Sequence, residues 1–305
     1  MSTSPADGPV RVFPVGVVGL GAMGLPMALT LTGVRSVRAY DVVPAARDRA
    51  AAVAVPVADS VADLAQTCRV VVLSLPSVET VEQVVEEIAT SAPGRLVLDT
   101  STVGPEDSRR IAAAALELGT TYLDTPILGR PDLVGAWTVP MGGPATAYVA
   151  VADVFEPLAK KVVHVGAVGA AATLKVANNL MFSAINAVTA EALLLAKAAG
   201  LDPGIFVDTV VDSGAATVSG LFRSIAPRAV EGDFSPTFSL ELVRKDNDLA
   251  VQLAASLGLE LSVGLAAREL HDRAVVAGHG AEDSIAVLRV LEEEFGQVAR
   301  RGPGR

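Results

Sequence analysis

The chemistry most sharply written into this chain is the run Gly19-Leu20-Gly21-Ala22-Met23-Gly24, which follows the apolar residues Val15, Val17 and Val18 and leads into Leu25, Met27, Leu29 and Leu31. Strand, glycine turn and helix in that order make a dinucleotide site. Glycine permits the tight turn and the close backbone approach, and the helix offers its free N–H groups and positive dipole end to a pyrophosphate. Asp41 closes the next apolar run roughly twenty residues on, where a carboxylate accepts hydrogen bonds from adenosine ribose hydroxyls. The six residues from Gly19 to Gly24, with Asp41, are therefore expected at a cofactor. The carboxylate would repel a 2′-phosphate, which favours NAD, while Arg47 a little further on keeps NADP open as a second cofactor.

Such a site needs a sheet to carry it. Short apolar runs, several of them rich in valine, recur at 10–18, 36–40, 69–75, 96–99, 121–124 and 162–165, with helix-like stretches such as 22–32 and 106–118 between them. Short strands that do not alternate in polarity fit a parallel sheet covered on both faces. After about Gly169 the strand pattern gives way to helical periodicity at 174–199, 206–212, 240–257 and 263–277. The expected fold is α/β: a doubly wound Rossmann domain over 1–168, then an all-α substrate and dimerisation domain over 169–305, joined through a long interdomain helix. Glycine and proline mark turns at 200–203 and 232–236, and 301–305 reads as a frayed tail.

Composition removes several alternatives. A formal charge of −10 with no basic cluster argues against nucleic-acid partners. The most apolar stretch, 181–200, is broken by Asn186, Glu191 and Lys197, so a buried helix is expected rather than a membrane span. Being apolar all round, it should be covered within the fold or by a second subunit, and a homodimer is expected. The single cysteine, Cys68, reads as a core residue. The opening residues carry no basic segment followed by an apolar one, so the expected compartment is the reducing cytoplasm. His164, His271 and His279 lack the short spacing of a metal site. Ser213-Gly214 and Ser219-Gly220 lack the elbow of a hydrolase serine, and Glu292-Glu293-Glu294 reads as a solvated face.

The opening, extended through Leu25-Pro26-Met27, resembles that of the 3-hydroxyisobutyrate dehydrogenase, or β-hydroxyacid dehydrogenase, family. Further segments carry the likeness over nearly the whole chain. Ser74-Leu75-Pro76-Ser77 and Asp99-Thr100-Ser101-Thr102-Val103-Gly104-Pro105 resemble the family's nicotinamide-side loops. The resemblance implies cofactor contacts for Leu75, Pro76 and Thr102 and a substrate contact for Ser101. Residues 166–175 with Asn178-Asn179 resemble its catalytic helix, and Lys245-Asp246 a late signature that implies Lys245 near the cofactor. By themselves Asp246 and Asp248 would read as a solvated helix face.

Lys175 and Asn179 stand four apart on a helix and share a face, so an ammonium and an amide can converge on one oxygen. A lysine desolvated enough to lose its proton could accept the hydroxyl proton when hydride leaves the carbinol carbon, and return it in reduction. Asn178 points about 100° away and is left to packing or support. The family's substrate loop usually reads Asp-Ala-Pro-Val-Ser-Gly-Gly, whereas here it reads Asp124-Thr125-Pro126-Ile127-Leu128-Gly129-Arg130. Leu128, Gly129 and Arg130 are thus expected at an altered acid pocket, with Trp137 shaping it. Arg130 either grips an anion through two parallel hydrogen bonds or pairs with Asp132 at the surface. The leading reading is NAD-dependent hydride transfer between a nicotinamide and a small 3-hydroxy acid or its semialdehyde. An imine reductase, a group that typically replaces the lysine, and a cofactor-binding regulatory protein with an altered substrate site are the alternatives.

Overall fold

The structure, a computed structural model, describes residues 14–213 and 219–302. Residues 10–13 of the first apolar run, Gly214, and 303–305 of the tail lie outside the described residues. The chain forms two compact units, Met1–Thr173 and Leu174–Arg305.

In the first unit, β1 (Val15–Val18), β2 (Val37–Tyr40), β3 (Val70–Leu73), β4 (Leu96–Asp99) and β5 (Thr121–Asp124) pair in parallel in the order β2-β1-β3-β4-β5. The helices that return the chain are α1 (Gly24–Thr32), α2 (Pro44–Ala52), α3 (Val61–Thr67), α4 (Val78–Ser91) and α5 (Pro105–Glu117). One core cluster gathers Val15, Val17, Met27 and Leu31, another Val71, Leu73, Leu64 and Ile88; successive residues of β1 and β3 feed opposite faces, which is why these strands read as runs without polar residues. The chain turns from β1 to β2, then crosses back to β3, and such a reversal opens a crevice at the carboxyl ends of the strands.

Beyond β5 the sheet departs from the expected parallel pattern. A sixth strand, β6 (Trp137–Gly142), runs antiparallel to β5, and after α6 (Ala145–Val151) the strand β7 (Ala159–Gly166) pairs with β6 in parallel. Pro140 disguises β6 in the sequence, since a proline argues against an interior strand. The fold accommodates it simply. Leu128 and Thr138 exchange both backbone hydrogen bonds, and with Asp124 paired to Gly142 in the same register, Pro126 falls opposite Pro140. Two residues without N–H groups share the one rung of the ladder that would have needed them.

The second unit is helical: α7 (Ala170–Ala198), which begins at the end of the first unit, then α8 (Pro203–Ser213), α9 (Gly220–Glu231), α10 (Leu240–Ser256), α11 (Ser262–Ala274) and α12 (Val287–Phe295). Leu193, Val207, Ile225, Leu240, Leu270 and Leu288 lie in its core. Among the described residues α7 alone is long and apolar enough to cross a membrane, yet Asn179, Ser183 and Asn186 are buried along it, and Ala190 and Leu193 belong to the helical core. Two surface expectations are corrected here. Glu292 is buried, accepting from Ala299 N–H at 2.8 Å and from Arg300, and Arg301 is held by Asp208 and Glu231, so the chain is pinned as far as Gly302.

Candidate active site

The glycine run divides its work among three positions. Gly19 has φ +93°, and a Cβ there would run into the Ser74 carbonyl oxygen; a Cβ at Gly24 would meet the Gly19 carbonyl oxygen. Those two glycines make the turn and seat α1 against it. Gly21 has open space where its Cβ would be, and Gly21 and Ala22 are exposed. Met23 gives α1 no side-chain cap, whereas Ser60 and Ser77 cap α3 and α4. An uncapped helix start behind an open glycine is the cradle a pyrophosphate requires, so these residues fit a dinucleotide. Leu20 is buried and its N–H donates to Asp41 Oδ2 at 2.7 Å; Asp41 Oδ1 accepts Val43 N–H at 2.8 Å. Each carboxylate oxygen keeps a lone pair for a hydroxyl. Arg47 curls back to the Asp41 carbonyl oxygen at 2.6 Å, its guanidinium 5.6 Å from the centre of the Tyr40 ring.

The β3–α4 and β4–α5 loops are brought together. Leu75 N–H donates to Ser101 Oγ at 2.9 Å, and Ser101 N–H donates to Asp99 Oδ1 at 2.9 Å. Pro76, exposed, and Thr102, half-buried, sit on the same loops.

The segment from Asp124 to Arg130 is anchored at both ends. Asp124, 2% exposed, accepts Gly169 N–H at 3.0 Å and Ala172 N–H at 2.8 Å, so β5 caps the start of α7. Burial raises the Asp124 carboxyl's pKa against those two bonds. A Cβ at Gly142 would strike this carboxylate. Leu128 is locked to Thr138 through its backbone, and Trp137, fully buried, donates its indole N–H to the Arg130 carbonyl oxygen at 2.7 Å while its ring occupies the space beside Gly129. Trp137 therefore braces the loop from below, where the sequence suggested a pocket wall. The Arg130 guanidinium lies 3.2 Å from Asp132, both side chains well exposed.

In the helical unit five side chains converge. Asn179, 5% exposed, donates from Nδ2 to Asp246 Oδ2 at 2.6 Å and accepts from Asn178 Nδ2 at 3.1 Å. Lys245 Nζ lies 3.3 Å from Asp246 Oδ1. Lys175 precedes Asn179 by one helical turn, and burial lowers its pKa below the usual lysine value, with Asp246 opposing the shift and Lys245 adding to it. Asp246, 2% exposed, is the residue that sequence reasoning left on a solvated face; only its neighbour Lys245 had been singled out. Below it, Asn247 donates to Ser183 Oγ at 2.5 Å, which continues the polar seam along α7.

Comparisons with known proteins cover both units of the chain. A family model of the NAD binding domain of 6-phosphogluconate dehydrogenase matches residues 14–166, and one described as NAD-binding of NADP-dependent 3-hydroxyisobutyrate dehydrogenase matches 169–291. L-threonate dehydrogenase of Cupriavidus necator is 33% identical over 91% of this chain and 95% of its own length. The 3-sulfolactaldehyde reductase of Escherichia coli is 30% identical over 94% of this chain and 98% of its own. The Mycobacterium tuberculosis 3-hydroxyisobutyrate dehydrogenase solved with L-serine superposes with a TM-score of 0.82 at 30% identity, covering 92% of this chain and 99% of that one.

Proposed function

The chain belongs to the 3-hydroxyisobutyrate dehydrogenase family of NAD(P)-dependent hydroxyacid dehydrogenases, and we propose that it oxidises a short 3-hydroxy acid, or reduces the matching semialdehyde, with NAD as the preferred dinucleotide. The observation that carries this reading is Lys175, its proton affinity lowered by burial, one turn from an Asn179 held by Asp246.

The bound dinucleotide supplies the hydride acceptor or donor. Gly19 to Gly24 seat its pyrophosphate at the start of α1, Asp41 takes the ribose hydroxyls, and Leu75, Pro76, Thr102 and Lys245 line the cofactor in this reading. Lys175, neutral, takes the substrate hydroxyl proton at Nζ as the hydride departs, and gives it back in reduction. The Asn179 amide has two hydrogens; Asp246 holds one, and the other is offered to the reacting oxygen. Ser101 and the Leu128-Gly129-Arg130 loop receive the remainder of the substrate. The Arg130 pair with Asp132 is exposed and contributes roughly 0–1 kcal/mol, so a substrate anion can displace it. Threonate and sulfolactaldehyde, the compounds in the relatives' names, are short and anionic, which is the proposed class.

Asp41 supports the choice of NAD, because its carboxylate would repel a 2′-phosphate. We further infer a cytoplasmic enzyme and, from the exposed Leu174, Met181, Val188 and Leu195 that recur every seventh residue along α7, a homodimer.

The test is initial-rate spectrophotometry of reduced nicotinamide over short hydroxy acids, semialdehydes and cyclic imines with both dinucleotides. Turnover of a hydroxy acid with NAD is expected; activity on imines alone, or binding without turnover, would contradict the proposal.

A further inference from the structure

Asp99 ends β4 and is 1% exposed, yet it lies at the carboxyl edge of the sheet, where open α/β sheets take their ligands. Tyr122 OH, from β5, donates to its Oδ2 at 2.7 Å, and Ser101 N–H to its Oδ1 at 2.9 Å. Ser101 carries the linkage onward, since its Oγ accepts Leu75 N–H at 2.9 Å. Thr100 ties the β4–α5 loop to the end of β3, its N–H and Oγ1 both donating to the Leu73 carbonyl oxygen at 2.9 and 2.6 Å. One carboxylate thus holds the β4–α5 loop directly and the β3–α4 loop at one remove. Burying a carboxylate is expensive unless its hydrogen bonds are good, and a neutral side chain would close a loop at less cost. A charge kept here points to a requirement for a strong, directional acceptor.

We propose that Asp99 is a positioning residue for dinucleotide binding, acting through Ser101 to set the backbone of Leu75 and Pro76. The inference rests on the dinucleotide reading given above. Burial pushes the Asp99 carboxyl up to about 6, opposed by its bonds to Ser101 and Tyr122 and aided by the Asp124 carboxylate opposite it in the β4–β5 pairing. Tyr122 and Asp124 are the titratable groups that face it, and the Tyr122 hydroxyl, itself pushed well up, stays a donor. When Asp99 gains its proton, Ser101 N–H and Tyr122 OH lose a charged acceptor and the loops slacken. Dinucleotide affinity therefore falls as pH drops through about 6.

The experiment is calorimetric titration of the whole protein with NAD from about pH 5 to about pH 8, for wild type, Asp99→Asn, Ser101→Ala and Tyr122→Phe, alongside steady-state kinetics. Wild type should bind progressively more weakly below about pH 6. Asp99→Asn should bind roughly tenfold more weakly at neutral pH and lose the inflection, with the loss in the dinucleotide KM rather than in kcat. Ser101→Ala should weaken binding by a similar factor, and Tyr122→Phe, lacking a bond that holds the carboxyl down, should move the inflection to higher pH. Wild-type affinity and an unmoved inflection in Asp99→Asn and Ser101→Ala would overturn the proposal. If Asp99→Asn does not fold, an inflection in Tyr122→Phe identical to wild type overturns it equally. A wild type that binds no dinucleotide would instead overturn the reading on which the proposal rests.

Discussion

At the scale of single residues, the charge on Lys175 is set by three things: burial, which lowers its pKa most, Asp246, which raises it, and Lys245, which lowers it. In the oxidation direction the lysine must be neutral, so kcat/KM should rise with pH to a plateau whose inflection lies below the ordinary lysine value of 10.5. Asp246→Asn removes the group that raises the pKa, and the inflection should move to lower pH while Asn179 loses a charged anchor and kcat falls; a pH–rate profile that shifts upward or stays put would contradict this. In the first unit, Asp41→Ser should raise the NADP to NAD efficiency ratio by roughly tenfold or more, measured as the two kcat/KM values; an unchanged ratio would count against Asp41 as the discriminating group. These residues were not equally legible. The glycine run could be read because each glycine answers a local need of turn, approach or packing. Asp246 could not, because an acid in a helical pattern looks solvated until its partner Asn179, 67 residues earlier, is placed against it. Trp137 likewise looks like a pocket wall until its indole is seen holding the Arg130 carbonyl.

At the scale of elements, Asp124 joins β5 to the first turn of α7. Its removal should act on stability: Asp124→Ala leaves two helix-start N–H groups without their acceptor and should cost about 1–3 kcal/mol by chemical denaturation. Gly142→Ala forces a Cβ against the same carboxylate, so its cost should be largely absorbed in the double variant, an interaction a double-mutant cycle reads out. Full additivity would show that the two residues do not share this contact. The parallel strands β1 to β5 were visible in the sequence as short apolar runs, most clearly β1 and β3, which are buried on both faces. The antiparallel β6 was not, because the rung that pairs Pro126 with Pro140 removes from the sequence the regularity by which a strand is recognised.

At the scale of the whole molecule, the change from valine runs to helical periodicity in the sequence coincides with the start of α7, and the helical unit that follows could be read from its period alone. What the period could not supply was the polar seam inside that unit, where Asn179, Ser183 and Asn247 are buried among apolar helices. The exposed stripe of Met181, Val188 and Leu195 on α7 bears on assembly: Val188→Lys should convert a dimer to a monomer in sedimentation analysis, and a wild type that is already monomeric would contradict the inferred homodimer. The central claim is that Lys175 moves the proton that accompanies hydride transfer. Its most direct test is the single-turnover rate of hydride transfer to NAD from a hydroxy acid the protein oxidises, for wild type and Lys175→Ala, with dinucleotide affinity measured on the same samples. The account predicts a fall of roughly 10²–10⁴ in that rate with affinity unchanged; a rate within a few-fold of wild type would contradict it.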